Sequence, residues 1–451
     1  MPMVGSAQAA APAPVLTADG RPAQATSMTA SPLATRLILL AWCLLSVGVS
    51  MHEGEYSAPG LLCVVAGLLI VGGVVAGGLV PHRPTRGELA VPIVVSLGCA
   101  VAHPVDRLMH VGGGALVVVQ VAAGIAVAIA AAGLWLRHDR LGWAAGATAA
   151  IVTGCLVIAL VPNPHIDVWF LLQQSSSGLL SGDDMYRQHW LHSHGLRAIY
   201  PYLPMSTILL APFRWIVGDV RAGLLLASVA TSALLRRLAP AAPAALSLLV
   251  LVHPHWAFLV DQSWTEPLLL FLLCATVLAT ERGRPVVAVL ALAAALAAKQ
   301  HVVLLLPLFA WWPAFGWRRT LAAAGLAALA VAPWVVAGPA DFWHDAVHAN
   351  LALGVIPRAL CVPSFLLRHG VTVGFWFPLA GLLASYAACL RAPRTAVGLA
   401  LGSALVLWTV DATNKQSFFN HYTLPLGLLV LGLTAASRAS DSRRLAGAAS
   451  T

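Results

Sequence analysis

Charge is scarce in this chain. Asp, Glu, Lys and Arg make up 10% of its 451 residues, against roughly 25% in an ordinary soluble domain. That excludes a water-soluble fold, a coiled coil and a disordered chain. Lysine is nearly missing: Lys299 and Lys415 are the two among 26 basic residues, and the rest are arginine. The net charge of +9 is scattered between apolar runs, so a nucleic-acid module is excluded as well. Cysteine supplies no framework. No two of Cys43, Cys63, Cys99, Cys155, Cys274, Cys361 and Cys389 stand at metal-ligand spacing, and they read as small packing residues. There is no nucleotide-binding glycine loop and no Asp-x-Asp metal motif.

What is abundant is apolar sequence, at 59% of the chain. A membrane-spanning helix needs about 20 apolar residues. Apolar runs fall near residues 37–51, 60–80, 89–103, 111–136, 141–162, 204–235, 242–260, 264–280, 285–298, 300–314, 320–337, 371–390, 395–410 and 421–437. The expected fold is an all-α polytopic membrane protein of about 14 transmembrane helices, with two long extracytoplasmic loops. Residues 1–32, rich in Ala, Pro, Ser and Thr, cannot bury a core and read as a disordered tail. No basic segment precedes the first run, so residues 37–51 read as a retained span.

Arginine orients the chain. Arg83/Arg86, Arg137/Arg140, Arg236/Arg237, Arg282/Arg284, Arg318/Arg319, Arg391/Arg394 and Arg443/Arg444 fall in every second loop. Positive charge gathers on cytoplasmic loops, so both termini are expected inside the cell. The alternation closes only if 204–235 crosses once, as a helix broken near Gly218-Asp219. The other face then collects most of the carboxylates and histidines. Two long loops lie there, 163–203 and 338–370, and residues 168–180 read as an interfacial helix. His189, His192 and His194 cluster in the first loop and read as solvated.

Several of these residues stand in a recognisable order. Asp167 opens the first loop, Gly182 to Tyr186 form a turn, and Tyr200-Pro201-Tyr202-Leu203-Pro204 leads into the next span. Asp261-Gln262-Ser263-Trp264 makes a turn on the same face, and Arg282-Gly283-Arg284 one on the opposite face. Ala297-Ala298-Lys299-Gln300 ends an Ala-rich span, and Phe418-Phe419-Asn420-His421-Tyr422 closes the series. Over residues 141–437 this order resembles the GT-C superfamily of membrane glycosyltransferases. Within it, it is similar to glycosyltransferase family 87, the polyprenol-phosphate-mannose-dependent mannosyltransferases of high-GC bacterial envelopes. Where members commonly carry Gly before the Gln, this chain has Asp261.

The resemblance implies a transferase core over 141–437, with residues 33–140 as a four-helix membrane extension and 438–451 as a cytoplasmic tail. It implies a polyprenyl-phosphate-sugar donor and a glycolipid or glycan acceptor on the extracytoplasmic face. Neither a cofactor nor a divalent metal is expected. One inverting displacement needs a base, cations for the departing phosphate and an apolar groove. Asp167 is the expected base. Lys299, Lys415, Arg358, His344 and His348 are expected at the donor phosphate; the two histidines stand four residues apart, a spacing that on a helix puts them on one face. Asp183, Asp184, Tyr186, Tyr200, Tyr202, Gln262, Glu266, Gln300, Asn420, His421 and Tyr422 are expected to line the cavity. The alternatives are an arabinofuranosyltransferase of the same superfamily and a transporter or flippase of lipid-linked sugar.

Overall fold

A computed structural model describes residues 30–102, 113–136, 138–187, 198–254 and 256–449. Nearly all of the expected N-terminal tail, Asp106, and the cluster of His189, Trp190, His192 and His194 lie outside them. Among the described residues the regular structure is helical, with two isolated bridges, Ser31 to Pro81 and Glu55 to Ala359.

The chain is a multi-pass, all-helical membrane protein. Its first five helices are α1 (Pro32–Ser50), α2 (Ala58–Ala76), α3 (Arg86–Ala102), α4 (Gly113–Leu136) and α5 (Asp139–Leu160). Ser31 and Ser57 begin α1 and α2 by accepting from the backbone N–H of Ala34 and Gly60, which satisfies a donor that no turn of the helix reaches. α4 and α5 touch backbone to backbone. A Cβ on Gly133 would lie 3.0 Å from the Gly142 Cα, the close approach that small residues permit inside membranes.

Two further helices, α6 (Asp167–Ser181) and α7 (Pro204–Val217), pack side by side. α6 occupies the stretch expected to hold an interfacial helix. α7 meets α8 (Arg221–Leu238) at 114°. The break falls where Gly218 takes φ +90, a conformation that costs glycine nothing. The segment read as one broken crossing is therefore two helices at a sharp angle.

The next run is also split. α9 (Ala244–Val252) and α10 (Trp256–Asp261) flank His253-Pro254, where proline cannot donate a helical hydrogen bond. After them come α11 (Glu266–Glu281), α12 (Pro285–Ala298), a 3-10 turn at Gln300–Leu305, α13 (Leu306–Trp311) and α14 (Gly316–Ala337). The second loop carries α15 (Pro339–Phe342), a π turn at Trp343–His348, α16 (Ala349–Ala352) and α17 (Val362–Arg368). α18 (Trp376–Cys389), α19 (Ala396–Thr413) and α20 (Phe419–Ala449) close the chain.

Among the described residues, each expected apolar run is helical over most of its length. Seven helices among the described residues are long and apolar enough to cross a membrane, or eight if the bent α7–α8 pair counts as one span. The other runs form shorter helices because proline or a polar residue interrupts them.

Polar contacts sort onto two faces. On one, Arg86 pairs with Asp139 at 2.6 Å and donates to the Leu134 carbonyl, Arg83 pairs with Asp441 at 3.2 Å, and Arg438 pairs with Glu281 at 3.0 Å. We call this the arginine face. On the opposite face Glu55 meets Arg358, Arg187 meets Asp341, and Lys299 meets Glu266. Each of these pairs joins residues that the charge pattern had put on the same side. α1 packs on α20, and α2 on α18 and α19.

Candidate active site

The site begins with a non-helical strand of chain, Tyr200 to Leu203. Prolines at 201 and 204 push the residues before them out of the α region, and the chain bends at Tyr202 before Leu203 (φ −89, ψ 157) leads into α7. The strand is stapled to the end of α12. The Leu203 N–H and the Ser206 hydroxyl both donate to the Ala298 carbonyl, and the Gln300 amide donates to the Pro201 carbonyl at 2.8 Å. α12 stops there because Lys299 is extended (φ −151, ψ 132). Its side chain leaves the helix beside Tyr202, with Nζ 5.8 Å from the ring centre.

Lys299 Nζ meets Glu266 Oε1 at 2.7 Å, and the two side chains are 14% and 2% exposed. Glu266 opens α11. The Asn420 amide, from the first turn of α20, donates to the same oxygen at 3.1 Å. Asp411 from the end of α19, His301 and His421 complete the electrostatic neighbourhood of this pair.

Asp167 is half-buried at the first position of α6, where a helix N-terminus favours a carboxylate. Burial pushes the Tyr202 phenol well above its usual range, and the charges of Asp167 and Glu266 push it further. The Tyr202 phenol therefore feels the charges of both the expected base and Glu266.

A second layer holds the strand down. The Tyr200 N–H donates to Asp345 at 2.9 Å, and the Tyr200 hydroxyl bonds to Thr207. The Tyr186 hydroxyl donates to the Tyr202 carbonyl at 2.8 Å. Asp184 accepts from the Tyr186 N–H at 3.0 Å, as turn carboxylates do. Burial raises the phenols of both Tyr186 and Tyr200. Gln300 also donates to the Ala346 carbonyl, which ties the second loop over the first.

Behind α6 lies a buried ionic cluster. Arg221 is fully buried, grips Asp219 at 2.6 Å and lies 3.9 Å from Asp261. The Gln262 amide donates to Asp261 at 2.6 Å, and the Trp169 indole to Asp219 at 3.4 Å. Below Glu266 is a cavity of about 20 Å³ whose wall includes Trp256, His253 and Thr423, room for about one water. Glu266 Oε2 and Trp256 Nε1 are buried there without protein partners.

The remaining expected residues are held elsewhere. Lys415 Nζ donates to the Leu351 carbonyl at 2.6 Å, and partial burial lowers its pKa. Arg358 lies 3.6 Å from Glu55 and is largely exposed. His344 stacks on His348 at 6.1 Å and pairs with Asp345 at 2.7 Å. Asp183 is exposed. The Tyr422 hydroxyl is buried and donates to the Leu360 carbonyl.

Asp411 and His301 were not expected in the site. A carboxylate near the end of an apolar helix was the available signal for Asp411; His301 beside Lys299 offered none beyond adjacency. Arg221 carried a weak signal, as an arginine starting a helix after a Gly-Asp break.

The arrangement combines a half-buried carboxylate, a phenol, and an ammonium fixed by a carboxylate and an amide. It can take a proton from a hydroxyl and steady a departing anion on neighbouring groups.

No family model matches the sequence, and no curated protein matches it. Among solved structures, the chain is similar to the crystal structure of ArnT from Cupriavidus metallidurans bound to undecaprenyl phosphate. The identity is 16% over 68% of this chain, with a TM-score of 0.43. The chain spans 62% of the length of that structure.

Proposed function

We propose that the protein is a membrane glycosyltransferase of GT-C type that works on the extracytoplasmic side. The observation that carries this reading is the Lys299–Glu266–Asn420 cluster beside Tyr202, a phenol that also feels the charge of Asp167. A carboxylate and a fixed cation that share one phenol as neighbour, at a membrane surface, suit transfer from an anionic lipid carrier.

In this reading the donor is a polyprenyl-phosphate sugar, with mannose as the sugar. Asp167 takes the proton of an acceptor hydroxyl on an envelope glycolipid or glycan. The acceptor oxygen bonds to the anomeric carbon as that carbon's bond to the phosphate oxygen breaks. Polyprenyl phosphate leaves with the electron pair, and the Lys299 ammonium balances its charge. One displacement of this kind inverts the anomeric centre. Lys415, Arg358, His344 and His348 are on the same face, available to a donor that reaches beyond the strand.

The break at His253-Pro254 favours a second reading, movement of lipid-linked sugar, because transporters bind at discontinuous helices. One experiment separates the two. Membranes carrying the full chain are given radiolabelled polyprenyl-phosphate-mannose, and in parallel the arabinofuranose donor. Transfer is expected from the mannose donor, and Asp167→Asn is expected to abolish it at unchanged expression. Sugar movement that survives Asp167→Asn, with no transfer, refutes the enzyme reading. Transfer from the arabinofuranose donor alone corrects the sugar.

A further inference from the structure

The turn between α1 and α2 reaches the wall of the site. Leaving α1, three successive residues are left-handed: His52 (φ 49), Glu53 (φ 58) and Gly54 (φ 77). Glycine adopts this shape freely, whereas His and Glu do so only where their surroundings impose it.

The surroundings are two other segments of the same face. The Tyr56 N–H donates to the Arg358 carbonyl at 2.8 Å, Glu55 bridges Ala359, and the Arg368 guanidinium lies 4.3 Å over the Tyr56 ring. That second segment is bonded to a third. Ile356 donates to the Lys415 carbonyl at 2.9 Å, and Leu360 to the Ser417 carbonyl at 2.7 Å.

Gly54 closes the arrangement. A Cβ there would stand 2.5 Å from the Phe419 Cβ and 2.9 Å from its Cα and N. Phe419 has no free path aside, because its ring is set against Phe258 at 5.8 Å and Trp264 at 5.6 Å. The next residue is Asn420, which donates to Glu266.

We infer that residues 51–57 are a positioning element of the site: by seating Gly54 on the Phe419 backbone, the turn sets Asn420 against the Lys299–Glu266 pair. The inference rests on reading that pair as part of the transfer site. It gives the first hairpin a role in the chemistry through Phe419 and Asn420.

The test uses the full-length protein in lipid nanodiscs. Gly54→Ala must move the Phe419 backbone by roughly 1 Å, a shift that costs about 100-fold where it displaces a catalytic group. Gly73→Ala, on α2 with open space around it, is the control. Tyr56→Ala is the second variant, since it loosens the turn from Arg368 without adding an atom. Hydrogen exchange is expected to rise roughly tenfold over residues 356–361 and 415–422 in Gly54→Ala, less in Tyr56→Ala, and not over 86–102. With polyprenyl-phosphate-mannose, kcat is expected to fall about 100-fold in Gly54→Ala while KM for the donor changes little. Exchange at 415–422 matching the Gly73→Ala control in both variants overturns the inference. So does a uniform rise across the chain. If the unaltered protein transfers no sugar, the function reading fails, and the exchange pattern still decides the structural one.

Discussion

Removing one member of the Lys299–Glu266 pair should harm the protein more than removing both. At 2.7 Å and an effective dielectric of about 20, the attraction is about 6 kcal/mol. Desolvation of two buried ions takes back several kcal/mol for each, so the net value of the intact pair is small. A lone survivor keeps its desolvation cost and loses the attraction. Breaking such a pair costs about 3–5 kcal/mol. Lys299→Met leaves Glu266 nearly sealed without its cation, with the Asn420 amide still donating to it. Glu266→Gln leaves the ammonium beside a neutral amide, still able to donate to it, and should cost less. The double variant keeps neither charge. Equilibrium unfolding in mixed micelles, run as a double-mutant cycle, should show a coupling of about 2–3 kcal/mol. Additivity within about 0.5 kcal/mol would refute the argument and make the contact incidental. In the transfer assay the double variant, though stable, should remain inactive if Lys299 balances the departing phosphate; full activity removes Lys299 from the mechanism.

The buried Arg221 should tolerate single removal as poorly. Arg221→Met strips Asp219 and Asp261 of their shared cation and should cost about 3–5 kcal/mol, while Arg358→Met, on an exposed pair, should cost under about 1 kcal/mol; comparable losses in unfolding would refute the difference in burial. Alkaline pH should unfold the protein through its loop phenols. Tyr186 and Tyr200 have folded pKa values raised above the ordinary 10.0, so their contribution is whole below pH 10 and is lost as pH rises beyond it. Each should steepen the decline by up to about 1.4 kcal/mol per pH unit. Tyr186→Phe should lower stability at neutral pH by about 1 kcal/mol, from the lost bond to Tyr202, and flatten the alkaline limb by one proton; an unchanged limb would count against the burial of that phenol. Gly142→Leu should separate α4 from α5 and lower the amount of folded protein, read by size-exclusion chromatography in detergent, whereas Gly124→Leu, in open space, should not.

Which charged residues lie together was legible because it is a coarse property with a strong physical cause. Arg83 and Asp441 are 358 positions apart, yet loop parity alone puts them on one face, since charge avoids hydrocarbon in every loop independently. The entry into α7 has a local cause: proline acts on its immediate neighbour, so Pro204 holds Leu203 (φ −89, ψ 157) out of the helix without any tertiary contact. Lys299 shows where this kind of reading stops. Its position at a helix end was visible, and an ammonium near the membrane surface asks for an anion. A phosphate and a carboxylate answer that need equally well, and only the packing of α11 beside α12 shows that Glu266 stands at the ammonium.

The same reasoning explains why the α1–α2 turn went unread. Met51-His52-Glu53-Gly54 carries one turn residue and two polar ones, which fits any short loop between spans. The turn is held where it is by contacts of Gly54 with Phe419 and of Glu55 and Tyr56 with the Arg358–Ala359 backbone, more than 300 positions away. Local sequence reports local preference, and here the preference of His52 and Glu53 is overruled. Where a non-glycine backbone contradicts its own propensity in a loop this short, the cause lies in whatever the loop touches. In this protein that contact is Phe419, the residue before Asn420, so the conflict between residue and conformation points to the segment that carries Asn420.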